Sequence, residues 1–241
     1  MSARRSTGRL AITSIALLLL ITRQVYAQGG DILSTLLGKR AWALVGAYGD
    51  NLTAVADALA TDMGLDAATR RQLRLLGEAI NYNAYGEAPA DQHISPQRLY
   101  ALMQRHAQPQ QLLRDERIGD ELDALRHADL QQALAQPLHV LGARARWMQL
   151  PDAPWSRRVI GGLANDLASA EPGMAHAVLQ DDGRGGYVVS LRAPKNAPGG
   201  ADAFCRRFGG GGRAGAAGID HLPEGDRERF LAELGVARWG D

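Results

Sequence analysis

The stretch FGGGGRAGAAG (residues 208–218) decides how the second half of this chain is read. Four glycines run into Arg213 and then into Ala-Gly-Ala-Ala-Gly. Ordering glycine costs more backbone entropy than ordering any other residue, so such a run is either a loose linker or a place where the backbone approaches something closely. Linkers carry polar residues and polar flanks. Here Phe208 precedes the run and alanines follow it, with a predicted helix at residues 201–208 on one side and a predicted strand at 217–222 on the other. The run therefore belongs inside a folded unit. Successive glycine N–H groups can converge on an anion, and an arginine beside them adds a planar, bidentate donor for phosphate or carboxylate. A tight turn with no ligand has the same signature, so both readings stand at this point.

Outward from the run, residues 187–191 and 175–180 read as two strands joined by the turn Asp-Asp-Gly-Arg-Gly-Gly. Residues 155–170 read as a helix, residues 151–154 (PDAP) as a break and 145–150 as a further strand. A last helix spans 224–234. The first half reads differently. Residues 40–46 (RAWALVG) predict a buried strand. Residues 51–63 predict a helix ended by Gly64. Asp66 caps a helix from 67 to about 80, and NYNAYGE (residues 81–87) interrupts the pattern. Ser95 caps a helix with Pro96 in its first turn and Leu99, Leu102 and Met103 on one face. Residues 115–136 predict another helix. The fold class is α/β of the α+β kind: an apolar segment at 1–30, a mostly helical part at 31–140 and a compact mixed-sheet part at 141–241, the last boundary falling between residues 136 and 143.

Composition adds bounds. The chain has 241 residues, 46% hydrophobic and 22% charged, an ordinary globular balance. A formal net charge of +1 gives no global field favouring nucleic acid or membrane. A single cysteine, Cys205, excludes an internal disulfide, and no Cys/His cluster has zinc spacing. At the N-terminus Arg4, Arg5 and Arg9 precede an apolar run at 10–21 and the small-residue pattern Val25-Tyr26-Ala27, the layout of a secretory signal peptide. The run is shorter than the ~20 residues of a membrane-spanning helix, so no integral membrane role is expected. A buried helix has the same apolarity.

The glycine motif resembles the Gly-Gly-Gly-His-x-x-Ala-Ala-Gly signature of the DHH-associated domain in the DHH phosphoesterase family. That family includes RecJ-like nucleases, oligoribonuclease-type enzymes and cyclic-dinucleotide phosphodiesterases. Phe208, Gly210, Gly211, Gly212, Ala216, Ala217 and Gly218 match, and Arg213 stands where the family usually has histidine. Arginine binds phosphate but exchanges no proton near neutral pH, so the match carries binding rather than acid–base work. VVSLRAP (residues 188–194) resembles the family's Ser-Leu-Arg strand, with Arg192 as the substrate-facing arginine. PDAPWSRRVIGGLANDLA resembles the first helix of the same domain, and together these matches span residues 141–235. VGAYGDN (residues 45–51) resembles the family's fourth metal motif, a strand-end aspartate, which would make Asp50 a manganese ligand. Asp50 is equally placed to cap the helix that follows. NYNAYGE resembles the connecting helical part of a DHH subfamily, with no role attached.

The resemblance implies binding of a nucleotide or short oligonucleotide through Arg192, Gly210, Gly211, Gly212 and Arg213, and Mn2+-dependent phosphodiester hydrolysis as the family reaction. It also implies a cytoplasmic location, against the exported one that a signal peptide would give. A two-metal site needs several carboxylates and histidines around two cations. The family's Asp-x-Asp and Asp-His-His motifs do not occur here, and none of the six histidines (93, 106, 127, 139, 176, 221) adjoins another. Asp91 and His93 read as a solvated pair in a polar loop, and His221 as either a pocket or a surface residue. A truncated reading frame, a separate chain carrying the missing motifs, and a non-catalytic, exported binding or partner subunit each account for the gap.

Overall fold

The computed structural model describes residues 32–240 except Glu87 and Pro198, with side chains from Gly38 onward. The signal-peptide-like segment lies outside the described residues. The described residues form a mixed α+β structure with one six-stranded sheet. No described helix is long and apolar enough to cross a membrane. The chain forms two compact units. One comprises the described residues up to Ala84 with Gln92–Leu125, and the other comprises Tyr85–Asp91 with the residues from Arg126 onward.

The first unit is helical: α1 (Ile32–Gly49), α2 (Thr53–Asp62), α3 (Ala67–Ala84), α4 (Pro96–Gln104), α5 (Pro109–Asp115) and the start of α6 (Ile118–Leu134). The predicted strand at 40–46 is part of α1. A seven-residue apolar run does not distinguish a buried strand from one side of a buried helix, and here Trp42, Leu44, Val45 and Tyr48 pack with Leu73, Leu76, Ala56 and Ala60 from α3 and α2. α2 ends at Gly64, whose φ of +66° suits glycine. Asp66 caps α3 by accepting the Thr69 N–H at 2.7 Å, and Ser95 caps α4 by accepting the Arg98 N–H at 3.3 Å. α3 continues through Asn81-Tyr82-Asn83-Ala84 rather than stopping at 80. There Asn83 is held by tertiary partners that outweigh its low helix propensity: it donates to Ile94 O at 2.8 Å and accepts the Ile94 N–H at 3.0 Å.

The second unit carries the sheet, in the order β1–β2–β3–β4–β6–β5. Its strands are β1 (Leu138–Leu141), β2 (Ala145–Leu150), β3 (Ala175–Asp181), β4 (Gly186–Arg192), β5 (Gly211–Arg213) and β6 (Ala216–Pro223). Only β2 and β3 are parallel, and the crossover that parallel neighbours require is α7 (Pro154–Ala170). Pro154 suits the first turn of α7, where its missing N–H has no intrahelical partner. Val159, Ile160, Leu163, Ala164 and Ala168 are buried along α7, and full burial of each of the three larger chains is worth about 1.5–3 kcal/mol. On the other sheet face, α8 (Ala201–Arg206) and α9 (Arg227–Gly235) bury Phe204, Phe208, Phe230 and Leu234 against Leu179, Tyr187, Val189, Leu191 and Ile219. Phe230 meets Phe204 and Phe208 edge-on at 5.4 and 5.2 Å between centroids, a preferred aromatic geometry. Cys205 lies in the same core, where burial pushes its thiol up to about 12 against the opposing pull of Arg192.

Candidate functional site

The glycine run ends in a hairpin. Residues 211–213 form β5, the last strand of the sheet, and a two-residue loop, Ala214-Gly215, returns the chain into β6. Glycine is disfavoured in strands, but packing requires it at two positions. A Cβ on Gly210 would lie 2.2 Å from Gly218 O, and one on Gly212 would lie 2.5 Å from Ala217 Cα. Gly212 also has φ +147°. The close approach demanded by the motif is therefore first an approach to β6. The N–H groups of Gly209 and Gly210 bond to Arg206 O and Cys205 O at 3.2 and 2.9 Å. With a two-residue loop, Arg213–Ala216 and Gly211–Gly218 are the hydrogen-bonded pairs of the ladder, so the N–H and C=O of Gly212 point off the open edge. Gly211 has nothing within 4 Å of where a Cβ would be.

Strand register brings the two predicted arginines together. Arg192 lies opposite Ala216, and Ala216 lies opposite Arg213. Directly paired residues share a sheet face, so both arginines project to one side across a small alanine. Their backbones are two strand spacings apart, about 9.5 Å. The same row continues through His176 and Arg146 on β3 and β2. This is the face covered by α7, because Arg192 Nε donates to Asn165 Oδ1 at 2.7 Å and Nη2 to Gly161 O at 3.3 Å. Nη1 donates to Ser190 Oγ at 3.0 Å and Leu191 O at 3.1 Å.

Charge along the row is uneven. Arg146 is paired with Glu171 at 2.7 Å. His176 is 1% exposed; burial lowers its pKa, and a weak bond to Glu171 O opposes this. Arg192 is half-buried, and all four of its hydrogen bonds go to neutral acceptors. Burial lowers its pKa, the Tyr85 phenol opposes that and the positive Arg213 reinforces it, yet a guanidinium stays charged near neutral pH. Arg213 is exposed. Among the described residues neither arginine has a carboxylate partner. Two like charges on one face, one of them partly desolvated, make a place where an anion is stabilised.

Other predicted residues lie elsewhere. Asp50 is neither at a strand end nor a helix N-cap. It closes α1, and Asn51 adopts φ +58° while Leu52 N–H bonds to Ala47 O at 2.8 Å. The N-cap of α2 is Leu52, with no side-chain cap. Asp50 sits in the helical unit and is half-buried. Among the described residues no three His, Cys, Asp or Glu side chains come together to hold a metal. Asp91 is not solvated: it is 3% exposed and receives Arg157 Nε and Nη2 at 3.0 Å each. His93 bonds to the Tyr82 hydroxyl at 2.8 Å. His221 is about 17 Å along β6 from Ala216, at about 3.4 Å per residue, and its Nδ1 meets Asp182 Oδ2 at 2.5 Å.

Asp182 organises the β3–β4 hairpin. Its Oδ1 accepts the N–H groups of Arg184 and Gly186 at 2.8 and 3.2 Å. Burial alone would raise its pKa, but the His221 bond, the Arg184 N–H and the charge of Arg184 outweigh it and hold the carboxyl below its ordinary value. A lowered folded pKa contributes stability above the unfolded value, ~3.9, and loses it as pH falls through the folded one. Asp182→Asn keeps an oxygen for the backbone but removes the charge. The variant is expected to be about 1 kcal/mol less stable than the parent at pH 6, and the gap closes below about pH 4. Urea unfolding between pH 3 and 7 checks this; a constant gap overturns it.

No protein-family profile matches the chain, and no curated protein does. Among solved structures it is similar to CDC45 from Entamoeba histolytica, with a TM-score of 0.42 and 10% identity over 87% of this chain and 56% of that one. It is also similar to PggH, a pGpG-specific phosphodiesterase from Vibrio cholerae, with a TM-score of 0.37 and 11% identity over 91% and 66% of the two chains. An uncharacterized protein from Helicobacter pylori G27 gives a TM-score of 0.29 and 14% identity over 93% and 60%. The chain spans less than two thirds of each structure's own length. All three TM-scores fall below 0.5, so the assignment of the site rests on the residues of this chain.

Proposed function

We propose that the second unit binds the phosphates of a nucleotide or short oligonucleotide, and that the chain is a DHH-phosphoesterase-like protein. The single observation that carries this is the pair Arg192 and Arg213, held on one sheet face by register with no carboxylate partner among the described residues. Gly212 adds a backbone N–H at the adjoining open edge. The motif resemblance in residues 188–218 points the same way. Mn2+-dependent phosphodiester hydrolysis is the family's reaction, and Asp50 is the residue of this chain matched to a metal ligand. The absence of a three-ligand cluster among the described residues favours a second reading, a binding or partner subunit that acts without hydrolysis or with a separate chain supplying the missing motifs. A cytoplasmic location goes with the first reading and export with the second.

Calorimetric titration with 5′-phosphorylated diadenylate, with and without manganese, tests the proposal. Saturable binding is expected. Binding insensitive to manganese, with no turnover, selects the binding-subunit reading. Turnover abolished by Asp50→Ala selects the enzyme. Absence of binding overturns the phosphate site common to both.

A further inference from the structure

Part of the NYNAYGE motif belongs to the sheet unit. Tyr85–Asp91 packs with that unit, over α7. The tip of the Tyr85 ring lies above Gly161: a Cβ there would be 3.1 Å from the phenol oxygen and 3.3 Å from Cζ. Gly161 is also the residue whose carbonyl accepts Arg192 Nη2 at 3.3 Å. The phenol and the guanidinium thus converge on one helix residue and interact electrostatically. Tyr85 is half-buried, and among the described residues its hydroxyl has no hydrogen-bond partner. A tyrosine hydroxyl withdrawn from water usually finds a partner, and Arg192, which bonds to the carbonyl of the same Gly161, has no carboxylate partner among the described residues.

The segment is firmly held. Asp91 receives both Arg157 bonds at 3.0 Å and accepts the Ala88 N–H at 3.1 Å. Arg157 also pairs with Asp152. Next to it, Arg158 donates to Asp91 O at 2.8 Å and pairs with Asp129 at 2.7 Å. Asp91, Asp129 and Arg158 are each less than 9% exposed, and buried pairs of this kind are costly to break singly. These bonds hold Asp91 of that segment against α7.

We infer that Tyr85 is a ligand-contacting residue of the Arg192 site, its hydroxyl donating to a phosphate oxygen held by Arg192, and that Asp91 and Arg157 are positioning residues for it. This rests on the phosphate-binding reading above. A Cβ at 161 would make the ring shift by a few tenths of an ångström.

The test is titration of the full chain with 5′-phosphorylated diadenylate. Tyr85→Phe removes one hydrogen bond to a charged group and is expected to weaken binding about 10-fold. Gly161→Ala keeps the hydroxyl but pushes the ring away, and is expected to weaken binding comparably. Asp91→Asn is expected to weaken binding in the parent and to have no further effect in the Tyr85→Phe background, because it acts through that hydroxyl; an additive loss overturns the positioning role. Binding by Tyr85→Phe and Gly161→Ala within twofold of the parent overturns the inference. In that case a continued loss in Arg192→Gln leaves the phosphate-binding reading standing. A parent chain that does not bind overturns both.

Discussion

Arg192→Gln lowers affinity for 5′-phosphorylated diadenylate by about 10- to 100-fold, the expected result of losing one hydrogen-bonded charge contact worth about 1.5–3 kcal/mol. The glutamine Nε2 falls where Arg192 Nε now donates to Asn165, so that contact is kept, while the charge and the bonds made by the two terminal nitrogens, to Ser190, Leu191 O and Gly161 O, are lost. A second signature accompanies the loss. Each phosphate neutralised on a single strand contributes about −0.7 to the slope of log K against log salt, so the variant's slope is shallower by about that amount. Calorimetry at several salt concentrations reads both quantities. Equal affinity and equal slope overturn the phosphate site. Arg213→Gln is expected to flatten the slope in the same way, with a smaller loss because that side chain is exposed and better screened.

Gly212→Ala destabilises the second unit by about 2–6 kcal/mol, combining overpacking of about 1–3 kcal/mol with unfavourable backbone conformation of similar size. The new methyl would meet Ala217 Cα at 2.5 Å and Ala216 O at 2.7 Å. Both are main-chain atoms and cannot swing aside. Gly211→Ala is the matched control: it has open space around it and is expected to shift the midpoint little. Thermal unfolding of the two variants checks this, with a drop of about 5–15 °C for Gly212→Ala. Equal midpoints overturn the packing account of the run. The pair also separates two reasons for having glycine. Gly212 is fixed by the neighbouring strand, whereas Gly211 has no packing reason, so a binding loss in Gly211→Ala identifies close approach of a ligand.

Much of the sheet unit was legible because its signals are local. The Asp-Asp-Gly-Arg-Gly-Gly turn and Arg192 ending a strand are each decided within a few residues, as are the caps at Asp66 and Ser95 in the helical unit, whereas Pro154, read as part of the PDAP break, is the first residue of α7. The failures lie where tertiary contacts decide. RAWALVG reads as a strand because an apolar run buried on several sides loses helical periodicity; its helix is settled by contacts with Leu73 and Leu76. β1 is short and largely exposed, so it shows no alternation. β5 was hidden because three residues beginning Gly-Gly have the wrong composition for a strand. At the candidate site, Ser190 could have been found from its two-residue spacing to Arg192, which places both on one face. Asn165, a polar residue in an otherwise small and apolar stretch of α7, carried a weaker signal. Tyr85 and the Asp91–Arg157 pair carried none, because the clamp joins residues 66 apart in sequence.

The hairpin of β5 and β6 has a consequence for how this face can diverge. Arg213 looks toward Arg192 only because two residues, Ala214 and Gly215, separate the strands. Slipping the pairing by one position would turn every side chain of β5 to the opposite face, while leaving the sheet, its core and the arginine itself in place. The cationic face is thus set by the length of a loop as well as by residue identity. An inserted or deleted residue at 214–215 would rewire it with no change of charge and no substitution at either arginine.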